Sequence, residues 1–213
     1  MDPISKLVWR SITRKPTHLH ITLKGSLPIM RRPRGLFSVP SSDLTLPQVL
    51  GALSRAEKDP LIESVIITVK PLSCRFAKVE ELVQAIRSVR SVKKVTAYFQ
   101  IGAEAEIAIA TACTEAYCPP SARVSLSGFY SRYTLLSGLA DTIGIEPEVF
   151  QRGLYKGGHS FAGEWQDGKG LPNEVRERSE GLRDSQRQSF ISLISENLQI
   201  SKEQVSEILK AGP

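Results

Sequence analysis

The chain lacks any apolar run approaching the ~18–20 residues that a membrane span needs; stretches such as Val65-Ile66-Ile67 are far shorter. Cysteine is scarce. Cys74, Cys113 and Cys118 are an odd set, and the Cys113/Cys118 spacing is no zinc pattern, so they read as reduced thiols acting as small hydrophobes. Met1–Pro16 has neither the continuous apolar core nor the small-residue cleavage site of a secretory signal, and its few serines make a poor transit peptide. The GxSxG elbow, the Walker loop, GxGxxG and HExxH are all missing. Histidine is nearly absent too: His18, His20 and His159 have no clustered Asp, Glu or Cys beside them and are not expected to ligate a metal. Glu104 and Glu106 stand two apart and so do not share a helix face, which argues against paired-carboxylate chemistry. No cofactor and no metal is expected.

What is present is a globular composition. A chain of 213 residues makes one large domain or two small ones, and buries about 70% of its unfolded surface without a metal or disulfide staple. Hydrophobic residues at 41% and charged residues at 23% exclude a disordered tail, a collagen or a coiled coil. Charge is unevenly placed. The net +6 and pI near 9.3 invite a nucleic-acid reading. Residues 1–34, however, carry net +7 from Lys6, Arg10, Arg14, Lys15, Lys24, Arg31, Arg32 and Arg34 against Asp2, while the remainder is net −1. The body therefore lacks the basic surface that phosphate binding needs, and no nucleic-acid partner is expected.

Ile4, Leu7, Val8 and Ile12 recur at helical spacing in the basic arm, and Pro16 stops the pattern. Such a helix lies on anionic lipid, or packs on the body or a neighbouring subunit. Leu19–Lys24 alternates like a strand, and Pro28–Gly35 is a basic loop. Thr45-Leu46-Pro47-Gln48 opens a helix running to about Lys58, which Asp59-Pro60 ends. Ile62–Val69 reads as a buried parallel strand. Val79, Leu82, Val83, Ile86 and Val89 mark an amphipathic helix. Lys94–Phe99 is the next strand, Ala103–Cys113 an alanine-rich helix, Arg123–Leu126 a short strand and Leu135–Ile143 a helix stopped by Gly144. Pro147–Gln151 is predicted as a strand, followed by the loop Gly153–Gly158; Gly163–Pro172 is polar and glycine-rich, hence a loop. Asn173–Asn197 and a helix capped by Ser201-x-x-Gln204 close the chain. Alternating strands and helices predict an α/β fold with a largely parallel sheet. The expected division is a basic N-terminal arm over residues 1–18 and a single domain over residues 19–213.

One lysine has an unusual setting. Lys156 sits in Gly153-Leu154-Tyr155-Lys156-Gly157-Gly158, after the strand predicted at Pro147–Gln151. Glycines permit close backbone approach, and burial disfavours the ammonium form, so a shielded Lys156 could act as general base for a serine hydroxyl. A lysine beside a glycine loop is more often solvated.

Three stretches, Val69–Leu82 (VKPLSCRFAKVEEL), Cys113–Gly128 (CTEAYCPPSARVSLSG) and Gly144–Gly157 (GIEPEVFQRGLYKG), together resemble the amino-terminal half of signal peptide peptidase A (protease IV), most closely its plant thylakoid form. The resemblance covers roughly Leu19 to the C-terminus. It implies a Clp protease–crotonase type of α/β fold, and a Ser/Lys dyad whose lysine comes from the amino-terminal half and whose serine comes from the carboxy-terminal half. It also implies a peptide or protein substrate, a homo-oligomer around a bowl-shaped cavity, and a peripheral place on the chloroplast thylakoid membrane. The lysine of the family's G-x-Y-K pattern falls on Lys156.

The chain departs from the catalytic half of that family at two places. Where that half reads ASGGYY, this chain has Ala103-Glu104-Ala105-Glu106-Ile107, which puts Glu104 at the nucleophile position. Where that half has a Ser-Pro-Gly-Gly turn serving the oxyanion site, this chain has Lys70-Pro71-Leu72-Ser73. Both departures suit an amino-terminal half, and the chain stops at Pro213 where a two-half member would continue. Ser73, Ser131 and Ser160 do not fall on the nucleophile position. The leading expectation is the lysine-bearing half of a serine peptidase; the alternative is a non-catalytic structural module of the same fold. A crotonase-type acyl-CoA enzyme is disfavoured by the glycine-poor segments at 70–73 and 103–107. A lipid or nucleic-acid binder acting through the basic arm is the fourth reading.

Overall fold

The structure is a computed structural model, and it describes residues 17–30, 44–134, 137–145, 152 and 173–211. Contacts divide the chain into two compact units, Met1–Ser127 with Phe190–Pro213, and Gly128–Ser189. The boundaries between the units fall after Ser127 and after Ser189.

The first unit is built on four parallel strands in the order β1-β2-β3-β5. These are β1 (Thr17–Gly25), β2 (Ile62–Leu72), β3 (Lys94–Phe99) and β5 (Glu115–Tyr117). A two-residue pair, β4 (Ile101–Gly102) with β6 (Arg123–Val124), forms a small second sheet, also parallel. Parallel neighbours need crossovers, and helices supply them: α1 (Leu46–Lys58), α2 (Phe76–Arg90) and α3 (Glu104–Ala112).

Each helix has local reasons to exist where it does. At the start of α1 the Gln48 side chain accepts a hydrogen bond from the Thr45 backbone N–H at 3.0 Å, and Pro47 needs no donor in the first turn. Its far end is closed by Lys93, whose Nζ donates to the carbonyls of Ala56 and Asp59. In α2 the five apolar residues picked out by their spacing, Val79, Leu82, Val83, Ile86 and Val89, are all buried. They join Ile21, Leu23, Val65, Ile67, Val69, Val95, Ala97 and Phe99 of the sheet with Val49 and Leu53 of α1 and Ile109 of α3 in one core. Burying each large aliphatic side chain here contributes about 1.5–3 kcal/mol relative to exposure.

The opposite face of the sheet corrects one expectation. The run Ile62–Val69 predicts a strand buried on both faces, but in β2 Val65, Ile67 and Val69 are buried while Ser64, Ile66 and Thr68 are half-buried or exposed. The reason is polar pairing with β1. His18 Nδ1 lies 2.8 Å from Ser64 Oγ and His20 Nε2 lies 2.8 Å from Thr68 Oγ1, so these side chains satisfy one another on the open face. The neighbouring pair Lys94–Glu115 extends this polar face at 2.8 Å.

The C-terminal part of α5 (Asn173–Leu198) and the following α6 (Lys202–Ala211) complete this unit. Phe190, Leu193, Ile194 and Val205 are buried, and Phe190 meets the Phe76 ring edge-on at 6.1 Å. The capping box read at Ser201 is present: the Ser201 N–H donates to Gln204 Oε1 at 3.0 Å, and the Gln204 N–H donates to Ser201 Oγ at 3.2 Å. The second unit contains α4 (Ser137–Thr142) and the first part of α5, where the Tyr133 hydroxyl hydrogen-bonds Ser179 Oγ. Gly144 follows α4 at φ 70°, a left-handed position that suits its glycine. The short strand read at Arg123–Leu126 shrinks to two residues, and β4 and β5 are too short to give an alternation signal. The N-terminal helix, the strand at Pro147–Gln151 and the loop at Gly163–Pro172 lie outside the described residues.

Candidate functional site

The end of β2 and the start of α3 meet at one buried carboxylate. Near its end β2 passes through Lys70-Pro71-Leu72-Ser73, and the ladder with β1 shifts register between Leu23 and Gly25. The Ser73 N–H then donates to the Gly25 carbonyl at 2.9 Å. The Leu72 N–H is directed elsewhere and donates to Glu106 Oε1 at 2.6 Å. The other oxygen of the same carboxylate, Oε2, accepts the N–H of Ala103 at 2.9 Å. Glu106 is only 3% exposed. A buried carboxylate is tolerated where donors meet its charge, and here the N-terminal end of α3 adds a favourable dipole.

Gly102 lets the turn between β3 and α3 pack closely. A Cβ at this position would lie 3.0 Å from Ile107 Cδ1 of α3 and 3.1 Å from Phe99 Cε2 of β3, so any larger residue would have to displace one of these side chains. The Gly102 carbonyl also accepts the Ser125 N–H at 2.8 Å, tying the turn to the segment after β6.

Cys74 lies near this carboxylate and near Lys78. Burial pushes the Cys74 thiol above its ordinary pKa; a backbone hydrogen bond and Lys78 pull it down, and Glu106 adds to the upward push. Cys74 is thus held as a thiol and not as a thiolate nucleophile. Lys78 Nζ is engaged by the carbonyls of Ser26 and Leu27 at 3.0 and 2.9 Å.

Two backbone N–H groups from separate segments converging on one anionic group at a helix N-terminus have the logic of an oxyanion hole. In this chain both donors are taken by a side chain. Glu104 begins α3, half-buried, and Ser73 and Ser131 are exposed. Lys156, Ser160 and His159 lie outside the described residues, so the structure does not bring Lys156 to this site or away from it. His18 and His20 are exposed and paired to hydroxyls. Among the described residues no group of three or more His, Cys, Asp or Glu could hold a metal ion, and no helix is long and apolar enough to cross a membrane.

Residues 87–212 match the model of peptidase family S49. This chain belongs to peptidase family S49. It is 30% identical over 205 residues to "Serine protease SPPA, chloroplastic" of Arabidopsis thaliana; the match takes in 96% of this chain and 29% of that protein. The chain therefore spans less than a third of the length of that S49 relative. Among solved structures, it overlaps an enoyl-CoA hydratase from a Polaromonas species at TM-score 0.33 and 18% identity, over 78% of this chain and 74% of that one. It also overlaps an enoyl-CoA hydratase/isomerase family protein from Silicibacter pomeroyi at TM-score 0.34 and 21% identity, over 55% and 53% of the two chains. These overlaps carry no argument about substrate or chemistry. The expected α/β architecture, a parallel sheet flanked by helices, is the one observed.

Within an S49 chain, sequence reasoning set Glu104 at the nucleophile position but passed over Glu106 because the two carboxylates do not share a face. They do not share a face, and that is the reason Glu106 turns inward while Glu104 stays half-buried. The signal lay in composition: a lone carboxylate inside Ala105–Ala112, otherwise built of alanine, isoleucine and one threonine, must find donors in the core.

Proposed function

We propose that this chain is the lysine-bearing, non-nucleophilic half of a Ser/Lys-dyad serine peptidase that cleaves membrane-associated peptides or proteins. The observation that carries the reading is the start of α3 in an S49 chain. Acidic side chains stand at the nucleophile position and two residues beyond it, and the second of them consumes the local backbone donors. Lys156 is the general base. In its neutral form its amine takes the proton of a serine hydroxyl from a second, nucleophile-bearing half as that hydroxyl attacks the peptide carbonyl. The ammonium so formed then protonates the leaving amine. The plant relative supports a chloroplast location. The further proposals are a peripheral place on the thylakoid membrane, contact of the basic arm with anionic lipid, and a homo-oligomer.

A second reading, a structural module of the same fold without turnover, is favoured by the same occupied donors. A serine-directed phosphonate probe tests the first point: the purified 213-residue chain is expected to show no adduct by intact-mass spectrometry. An adduct that disappears in Lys156→Ala would place a working dyad inside this chain and overturn the assignment. With a nucleophile-bearing half added, Lys156→Ala is expected to lower acylation by a factor of about 10²–10⁴; an unchanged rate would leave the structural-module reading.

A further inference from the structure

We propose that Glu106 is a built-in anion that fills, in this half, the place where negative charge would collect on a substrate carbonyl in a catalytic one. The comparison with a catalytic half rests on the reading above; the occupancy rests on geometry alone. Each carboxylate oxygen takes one backbone N–H, from Leu72 at 2.6 Å and from Ala103 at 2.9 Å. An ordinary helix cap accounts for the Ala103 bond only, because that donor is three residues away on the same turn. The Leu72 bond is long-range, and its donor sits at the turn that matches the family's oxyanion segment. The strand also arranges for it: Ser73, not Leu72, donates to Gly25 at the register shift, which leaves the Leu72 N–H aimed at α3. Glu106 is at the same time the second residue after the nucleophile position, where the catalytic half carries glycine. Replacing Glu104 by serine would therefore not by itself make this half reactive, since both donors would remain bound to the Glu106 carboxylate.

Glu106 is on this view a positioning residue, and it is tested without any peptidase assay. The full chain is labelled with ¹⁵N as wild type, Glu106→Ala and Glu106→Gln, and titrated with sodium formate against sodium chloride at equal ionic strength. In Glu106→Ala the Leu72 and Ala103 amides should shift saturably with formate and not with chloride, and about half of the lost Tm should return at ~100 mM formate. The wild type should not respond. Should Glu106→Ala fail to fold, Glu106→Gln decides: it keeps one acceptor and turns an NH₂ toward the other donor. At least one of the two amides should then exchange with solvent about tenfold faster than in wild type. Amides that ignore formate in Glu106→Ala, or that stay as in wild type in Glu106→Gln, would reduce Glu106 to a helix cap and overturn the proposal. Neither result bears on whether Lys156 serves a peptidase, so the two readings fail separately.

Discussion

The two ends of α3 are held by opposite charges. At the N-terminal end a carboxylate, Glu106, gathers N–H donors. Toward the C-terminal end, one cation and an amide meet oxygens of the helix: Asn197 Nδ2 donates to Ala108 O at 3.2 Å and to Thr111 Oγ1 at 2.9 Å, and Arg90 Nη1 reaches Ala112 O at 3.4 Å. Arg87 ties this cluster to α5 by donating to Asn197 Oδ1 at 2.7 Å, Glu196 Oε2 at 2.9 Å and Leu193 O at 3.1 Å. Both arrangements follow the helix dipole. They differ in reach. The C-terminal clamp joins elements about a hundred residues apart in the chain and belongs to the scaffold; the N-terminal clamp spans 34 residues, from Leu72 to Glu106.

If the C-terminal clamp is scaffold, breaking it should cost the most. Asn197→Ala removes a buried amide, 4% exposed, which takes the acceptor from Arg87 Nε and a donor from both Ala108 O and Thr111 Oγ1. Unfolding stability should fall by about 2–4 kcal/mol in a urea titration, with no effect on the Leu72 amide. The N-terminal end should be sensitive to size instead. Gly102→Ala forces Ile107 or Phe99 to move by a few tenths of an ångström and should cost about 1–3 kcal/mol. Its shift changes should centre on Leu72, Ala103 and Glu106, whereas those of Asn197→Ala should centre on α5.

The smallest effect at neutral pH belongs to Cys113, the C-cap of α3. Burial pushes its thiol up to about 12, and its thiol donates to Ile109 O at 3.4 Å. The fold thus favours the neutral thiol. Its contribution is fully present below the ordinary cysteine pKa and is lost as pH rises from about 9 toward 12. Cys113→Ala should flatten that part of the alkaline stability curve. Exposed Cys118 should alkylate in the folded protein, while buried Cys113 should need unfolding.

Much of this framework was legible from the residues. The apolar spacing of Val79–Val89, the proline-containing start at Thr45–Gln48 and the Ser201/Gln204 box each depend on near neighbours, and near neighbours decide helices. The half-open sheet was not legible. Val65–Val69 looks apolar throughout because Thr68 is small and β-compatible, and only the pairing of Ser64 and Thr68 with His18 and His20 across the ladder shows that they face outward. Of the candidate site, the departures at 70–73 and 103–107 could be read. The inward turn of Glu106 could not, because its second donor is brought in by the sheet from a segment far earlier in the chain.

The all-parallel order β1-β2-β3-β5 also bears on how the chain folds in time. Every strand pair must wait for the crossover between its members, and the closure distance shortens along the chain, from Thr17 with Ile62, to Ser64 with Lys94, to Thr96 with Glu115. The β2–β3–β5 core is therefore expected to close ahead of β1, and the meeting of Leu72 with Glu106 is completed only when β1 docks and its Gly25 carbonyl takes the Ser73 N–H.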